Sequence, residues 1–180
     1  MMRELSYGEV CKVGYGFNAA EVFRVAIQVE ENGRRFYEES RKNIESAEIK
    51  ELLYDLSQQE IAHKTKFETL LAELPCESKI ATVWDPQNEI DQYIGMMAAD
   101  HVFVSSQEVE DRVSRLRDAA DALKLAIEFE KDSIIFFLSF EDAMSRESDR
   151  QLIKSLIKEE QEHLRRLTLE LRKITNKRIE

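Results

Sequence analysis

Glu60-Ile61-Ala62-His63 is answered one hundred residues later by Glu160-Gln161-Glu162-His163. Thirty residues before each copy stands a second shared segment, Ala26-Ile27-x-x-Glu30 and Ala126-Ile127-x-x-Glu130. Each half of the chain therefore supplies one glutamate from a first segment and a Glu-x-x-His from a second. Residues three apart on a helix share a face, so each Glu-x-x-His presents a carboxylate and an imidazole in one direction.

The composition suits helices. The chain has 180 residues, 43% of them hydrophobic, with only five glycines and two prolines. Little punctuation and an abundance of Ala, Leu, Ile, Glu, Lys and Arg favour long helices over many short strands. A charged fraction of 34% fits helices that each keep one solvated face. The formal net charge of −10 argues against nucleic acid as a partner, since that needs basic surface. No run is long and apolar enough to span a bilayer, and Met1-Met2-Arg3-Glu4-Leu5 opens no signal peptide. The expectation is a cytoplasmic protein. Cys11 and Cys76 form no Cys-x-x-Cys, which rules out a rubredoxin-type or zinc-ribbon site in this chain. They read as reduced thiols, with a disulfide left open.

Residues 1–17 hold three of the five glycines and read as an N-terminal arm. Residues 18–180 read as the folded domain, and Asn18-Ala19-Ala20-Glu21 as a capping box opening helix 1. Val22, Val25, Ala26, Val29, Gly33, Phe36 and Tyr37 then recur at helical period, and Glu30 falls inside that stripe. A carboxylate on a buried face is costly unless paired or metal-bound. Ser46 caps helix 2, whose apolar row runs through Leu52, Leu53 and Leu56 and resumes at Phe67, Leu70, Leu71 and Leu74. Between them the row is carried by Glu60 and His63. Pro75 ends the helix, closing a first hairpin over 18–74.

Residues 75–117 read as a long crossover connector, with a short helix from Asn88 to about Val104. His101, in that stretch, has no counterpart in the other half and reads as structural. The second hairpin spans 118–176. Asp118-Ala119-Ala120-Asp121 caps helix 3, and Ser148-Asp149-Arg150-Gln151 reads as a capping box for helix 4. The repeat survives at caps, core and the glutamates and histidines, while surface positions differ. It implies two hairpins related by a pseudo-two-fold axis, with the Glu-x-x-His faces brought together at the bundle centre.

A glutamate from each of two helices and Glu-x-x-His from each of the other two is the ligand set of ferritin-like carboxylate bundles. The fold class is therefore all-α, a ferritin-like four-helix bundle of two pseudo-symmetric hairpins. Carboxylate and imidazole donors suit iron or manganese, with zinc also compatible. By symmetry Glu60 and Glu160 bridge two ions, Glu30 and His63 complete one, and Glu130 and His163 complete the other. Tyr37, two turns beyond Glu30, either packs or hydrogen-bonds a ligand; its counterpart Phe137 has no hydroxyl to offer.

Ala26-Ile27-x-x-Glu30-x-x-Gly33-x-x-Phe36-Tyr37 followed by Glu60-x-x-His63, repeated in the second half, resembles the rubrerythrin family of ferritin-like proteins over residues 18–175. The resemblance implies non-haem di-iron redox chemistry, reducing hydrogen peroxide or dioxygen, and a homodimer, often with exchanged helices. It also implies that Gln59 and Glu159 support the histidine of the opposite half. Two positions depart from the family. Rubrerythrins usually carry an extra carboxylate one turn after the helix-3 glutamate, where this chain has Ser133, so the site is simpler and closer to that of bacterioferritin. The C-terminal rubredoxin domain is also missing, so electrons would come from a separate donor such as a rubredoxin. Two other functions compete with this one: iron binding or storage without turnover, and a metal-free helical interaction bundle.

Overall fold

The computed structural model describes residues 19–74, 106–143 and 147–176. Expectations for the arm, the 88–104 helix, His101 and both cysteines lie outside those residues. Five helices are present among the described residues and no strand: α1 (Ala19–Lys42), α2 (Ala47–Glu73), α3 (Ser106–Ser114), α4 (Ala119–Ala143) and α5 (Glu147–Asn176). No described helix is long and apolar enough to cross a membrane.

The helix ends follow local chemistry. Ser46 is extended (φ −61°, ψ 118°) and its Oγ accepts from the Ile49 amide at 3.4 Å, while the Lys50 amide bonds the Ser46 carbonyl at 2.9 Å. Ser46 thereby satisfies an otherwise orphaned amide of the first turn. At the far end Leu74 is extended at ψ 124°, as the steric demands of a following proline require. Asp118 caps α4, its Oδ1 accepting from the Asp121 amide at 2.9 Å.

Two details differ from the sequence reading. The connector carries a helix at Ser106–Ser114, anchored by buried Val109 and Val113 and packed against α1. Two valines one turn apart in nine residues give too short a periodic signal to separate from the loop. In addition, α5 already runs at Glu147, which puts Ser148 inside the first turn and not at the cap. Gln151 donates to the Glu147 carboxylate at 2.5 Å, so its amide meets the side chain one turn back and closes no capping box.

α1 packs on α2, and α4 on α5, as two antiparallel hairpins. Lys173 near the end of α5 reaches Glu48 at the start of α2, and Lys66 reaches Glu159, so α2 and α5 also run antiparallel. Along these two helices the cross-pairs Gln59–His163 and His63–Glu159 mirror one another about residues 61 and 161. Those two positions are one hundred residues apart, so the repeat and the pseudo-two-fold axis coincide.

The core is aromatic around this axis. Phe23, Phe36, Phe67, Phe129, Phe136 and Phe137 are buried and largely in contact, with Phe67 lying between Phe23 (6.2 Å) and Phe137 (5.3 Å). Gly33 is a close-approach position. A Cβ built there would fall 2.4 Å from Cζ and 2.7 Å from Cε1 of Phe129. Phe129 has little room to yield, because it is 1% exposed and sits edge-on to Tyr37 at 6.1 Å. The counterparts of this pair are Ser133 and Val29, so the repeat has the smaller residue at 33 than at 133 and the larger at 129 than at 29.

Gly33→Ala gains about 1 kcal/mol of helix propensity but overpacks a closed core, at a cost of about 1–3 kcal/mol. The expected net result is a loss of up to about 2 kcal/mol in urea unfolding, relieved by adding Phe129→Leu. A more stable Gly33→Ala protein would contradict this packing account.

Candidate metal centre

Each helix of the bundle brings its ligand-type residue to the same level of the core. α1 contributes Glu30 and α4 contributes Glu130, both inside apolar stripes. α2 contributes Glu60 and His63, and α5 contributes Glu160 and His163. All six are 1% exposed or less. One chain therefore encloses four carboxylates and two imidazoles in an apolar interior.

The donor atoms converge. Glu30, Glu60, His63 and Glu160 form one group that could hold a metal ion, and Glu60, Glu130, Glu160 and His163 form another. Within each group the candidate ligand atoms lie within 4.8 Å of one another. Glu60 and Glu160 belong to both. The His63 and His163 rings stack at 5.5 Å with an interplanar angle of 12°. Nδ1 of His63 lies 2.8 Å from Glu160 and 3.5 Å from Glu30. Nδ1 of His163 lies 3.0 Å from Glu160 and 3.4 Å from Glu130.

The inward-facing atoms lack hydrogen-bond partners. Both oxygens of Glu60 and of Glu160, one oxygen each of Glu30 and Glu130, and Nδ1 of both histidines are buried without one. Buried polar groups are ordinarily satisfied, and a set of orphaned oxygen and nitrogen donors around one point is what cations would complete. The donors fit a carboxylate- and imidazole-binding ion such as iron or manganese.

The outward nitrogen of each histidine is held by the opposite half. His63 Nε2 bonds Glu159 at 3.0 Å, and His163 Nε2 bonds the Gln59 side-chain oxygen at 2.9 Å. These bonds turn Nδ1 toward the cluster, where it offers a lone pair once the ring has lost its proton to a metal ion. Tyr37 donates its hydroxyl to Glu130, the glutamate of the other hairpin and not the one on its own helix.

Two basic residues escaped the sequence reading. Lys66 bonds Glu159 at 2.7 Å, and Arg166 bonds Asp55, whose carboxylate in turn accepts from Gln59 at 3.2 Å. The signal was in the repeat, because Lys66 and Arg166 each stand three residues after a histidine. A surface network lies next to the cluster, where Glu31 is held by Arg34, Arg35 and Lys64 and its carboxyl is drawn down to about 2 by the Arg34 guanidinium.

The charges are matched to their burial. Burial raises the carboxyls of Glu30 and Glu60 well above the usual range, and neighbouring carboxylates add to it. Burial likewise raises Glu130 to about 8. For Glu160 burial acts in the same direction but the two histidines outweigh it, and its carboxyl is lowered. Burial works against protonating the histidines, yet the surrounding carboxylates overcome it and bring His63 to about 9 and His163 to about 11. Burial thus favours the protonated form of Glu30, Glu60 and Glu130, and the surrounding carboxylates favour the protonated form of both histidines.

A helical bundle that presents a glutamate from each of two helices and a Glu-x-x-His from each of the other two is a ferritin-like carboxylate protein. The sequence model described as Rubrerythrin matches residues 21–171. The chain belongs to the rubrerythrin family. A crystal structure from Thermotoga maritima, described as that of a ferritin-like diiron-carboxylate protein, is similar at 26% identity and a TM-score of 0.61, covering 87% of this chain and 96% of that one. A comparison with curated proteins returned no match.

The protonated cluster sets a pH dependence for metal-depleted protein. Glu30, Glu60 and Glu130 hold protons in the fold that the unfolded chain releases near 4.5. Above that pH the folded state binds more protons, so stability falls as pH rises toward 8. The histidines act in the same sense from 6.5 upward. Glu160 contributes the opposite way, losing stability only as pH falls below the ordinary carboxylate range. The melting temperature of metal-depleted protein is expected to drop by at least about 4 °C between pH 5 and pH 8.5. Saturating manganese(II), added anaerobically, should flatten that slope, because the ions need deprotonated ligands. A melting temperature that rises over this range without metal would contradict the assignment.

Proposed function

We propose that the protein is a non-haem di-iron oxidoreductase that reduces hydrogen peroxide or dioxygen, with electrons from a donor outside this chain. The observation that carries the proposal is the cluster of orphaned, inward-facing donors shared between two overlapping ligand groups. Glu30, Glu60, His63 and Glu160 would hold one ion, and Glu130, His163, Glu60 and Glu160 the other. Two ferrous ions held there would supply the two electrons that convert hydrogen peroxide and two protons to two waters. Manganese and zinc fit the donors as well, but only iron and manganese carry redox chemistry, and the family relationship favours iron.

The remaining roles belong to the chain. Glu60 and Glu160, shared by both groups, fix the separation of the two positions. Glu159 and Gln59 fix the histidine tautomers. The phenylalanines exclude bulk water, and Tyr37 presents a hydroxyl proton to Glu130. Ser133, buried one turn beyond Glu130, stands where the family usually has a further carboxylate. No additional acidic side chain joins either ligand group among the described residues, so the cluster lacks the extra ligand that would let one ion change position. The chain has no Cys-x-x-Cys of its own, and a rubredoxin-type donor, a homodimeric assembly and a cytoplasmic setting come with the proposal on family grounds.

Protein loaded anaerobically with about two ferrous ions per chain should consume about one hydrogen peroxide per two irons oxidised, the electron balance of reducing peroxide to water, and should do so faster than free ferrous iron. Turnover should persist when reduced rubredoxin is supplied. In Glu60→Ala and Glu160→Ala, oxidation should fall to the rate of free ferrous iron. Accumulation of many irons per chain with no peroxide turnover would overturn the proposal in favour of storage.

A further inference from the structure

The two ligand groups are related by the repeat but differ around their edges, and the differences point the same way. In the first group the outward N–H of His63 meets a carboxylate, Glu159, at 3.0 Å. In the second, the outward N–H of His163 meets a neutral amide, Gln59, at 2.9 Å. A hydrogen bond to a carboxylate is roughly twice as strong as one to a neutral oxygen, and it makes the other ring nitrogen a better donor. The glutamates differ too. Glu130 gives part of its electron density to the Tyr37 hydroxyl. Each of the two glutamates keeps one oxygen without a partner, but the residue at the place equivalent to Tyr37 is Phe137, which has no hydroxyl to give Glu30.

We infer that the two metal positions are unequal by construction: the Glu30/His63 position is the stronger donor set, and Glu159 is the positioning residue that makes it so. This rests on reading the cluster as a two-metal site. Glu60 and Glu160 belong to both groups and cannot create the difference. Lys66 tempers it without cancelling it, since Lys66 binds Oε1 of Glu159 at 2.7 Å while His63 bonds Oε2. Behind Gln59 stands Asp55, but its charge is one bond further from the ring and is paired with Arg166. Glu159 and Gln59 occupy the same place in the repeat, so one atom pair, a carboxylate oxygen exchanged for an amide nitrogen, separates the two halves at this point.

A metal ion therefore enters the Glu30/His63 position first, and that position better tolerates the higher charge. Unequal binding steps alone do not establish this, because a first cation repels a second even in a symmetric site. The diagnostic is which substitution moves which step. The test is an anaerobic titration of metal-depleted protein with cobalt(II), followed by visible absorption, with folding checked by circular dichroism. Glu159→Gln should weaken the first step about tenfold or more and leave the second nearly unchanged. Gln59→Glu should strengthen the second step by a similar factor, and Tyr37→Phe should strengthen it by a few fold. A merely structural role for Glu159 would not yield gains at the other position.

If two cobalt ions bind but Glu159→Gln weakens both steps alike, or Gln59→Glu strengthens the first alone, the inequality is overturned while the two-metal reading stands. If no cobalt binds, both fall. Gln59→Glu and Tyr37→Phe decide the matter even if Glu159→Gln fails to fold.

Discussion

Four carboxylates and two imidazoles enclosed in one apolar interior set the terms for the rest of this molecule. Isolated charges in such a place are strongly disfavoured, and the fold offers only two remedies. One is to keep protons on Glu30, Glu60 and Glu130, the direction in which burial shifts their carboxyls. The other is to supply cations. Everything near the cluster prepares for the second. Glu159 and Gln59 turn both Nδ1 atoms inward, the oxygens of Glu60 and Glu160 face the cluster with no hydrogen-bond donor assigned to them, and buried phenylalanines pack around it.

The bundle can hold such a cluster because its two hairpins are near-copies. A ligand at one level of α2 meets its counterpart at the same level of α5 by symmetry. The two halves differ at positions around the cluster. Gly33 faces Phe129 where Ser133 and Val29 are the counterparts, Tyr37 stands where its twin is Phe137, and Gln59 where its twin is Glu159. Each exchange alters packing or charge at the rim of the cluster and leaves its six central residues intact.

Much of this was legible in the sequence because the repeat keeps its six cluster residues identical. The hundred-residue offset located α1, α2, α4 and α5 and the six residues that the structure gathers, and capping chemistry located Ser46 and Asp118. What was not legible followed from weak local signals. The helix at Ser106–Ser114 owes its place to two valines packed on α1, which no periodic pattern announces. The start of α5 moved because a Glu147–Gln151 contact replaced the capping box suggested by Ser148 and Gln151. Tyr37 lies on the face of Glu30 along its own helix, yet its hydroxyl reaches Glu130, a pairing that only the approach of α1 to α4 can create. Lys66 and Arg166 were visible as a repeat but not as partners, since their acids come from the opposite hairpin.

The central claim is that the cluster exists to bind a pair of ions. The most direct test is anaerobic equilibrium dialysis of metal-depleted protein against ferrous iron, with bound iron and released protons counted together. The account predicts about two irons per chain, each accompanied by proton release as the buried carboxyls and histidines ionise, and loss of binding in Glu60→Ala, Glu160→Ala protein. Failure to bind iron, or binding that persists undiminished in that variant, would contradict it.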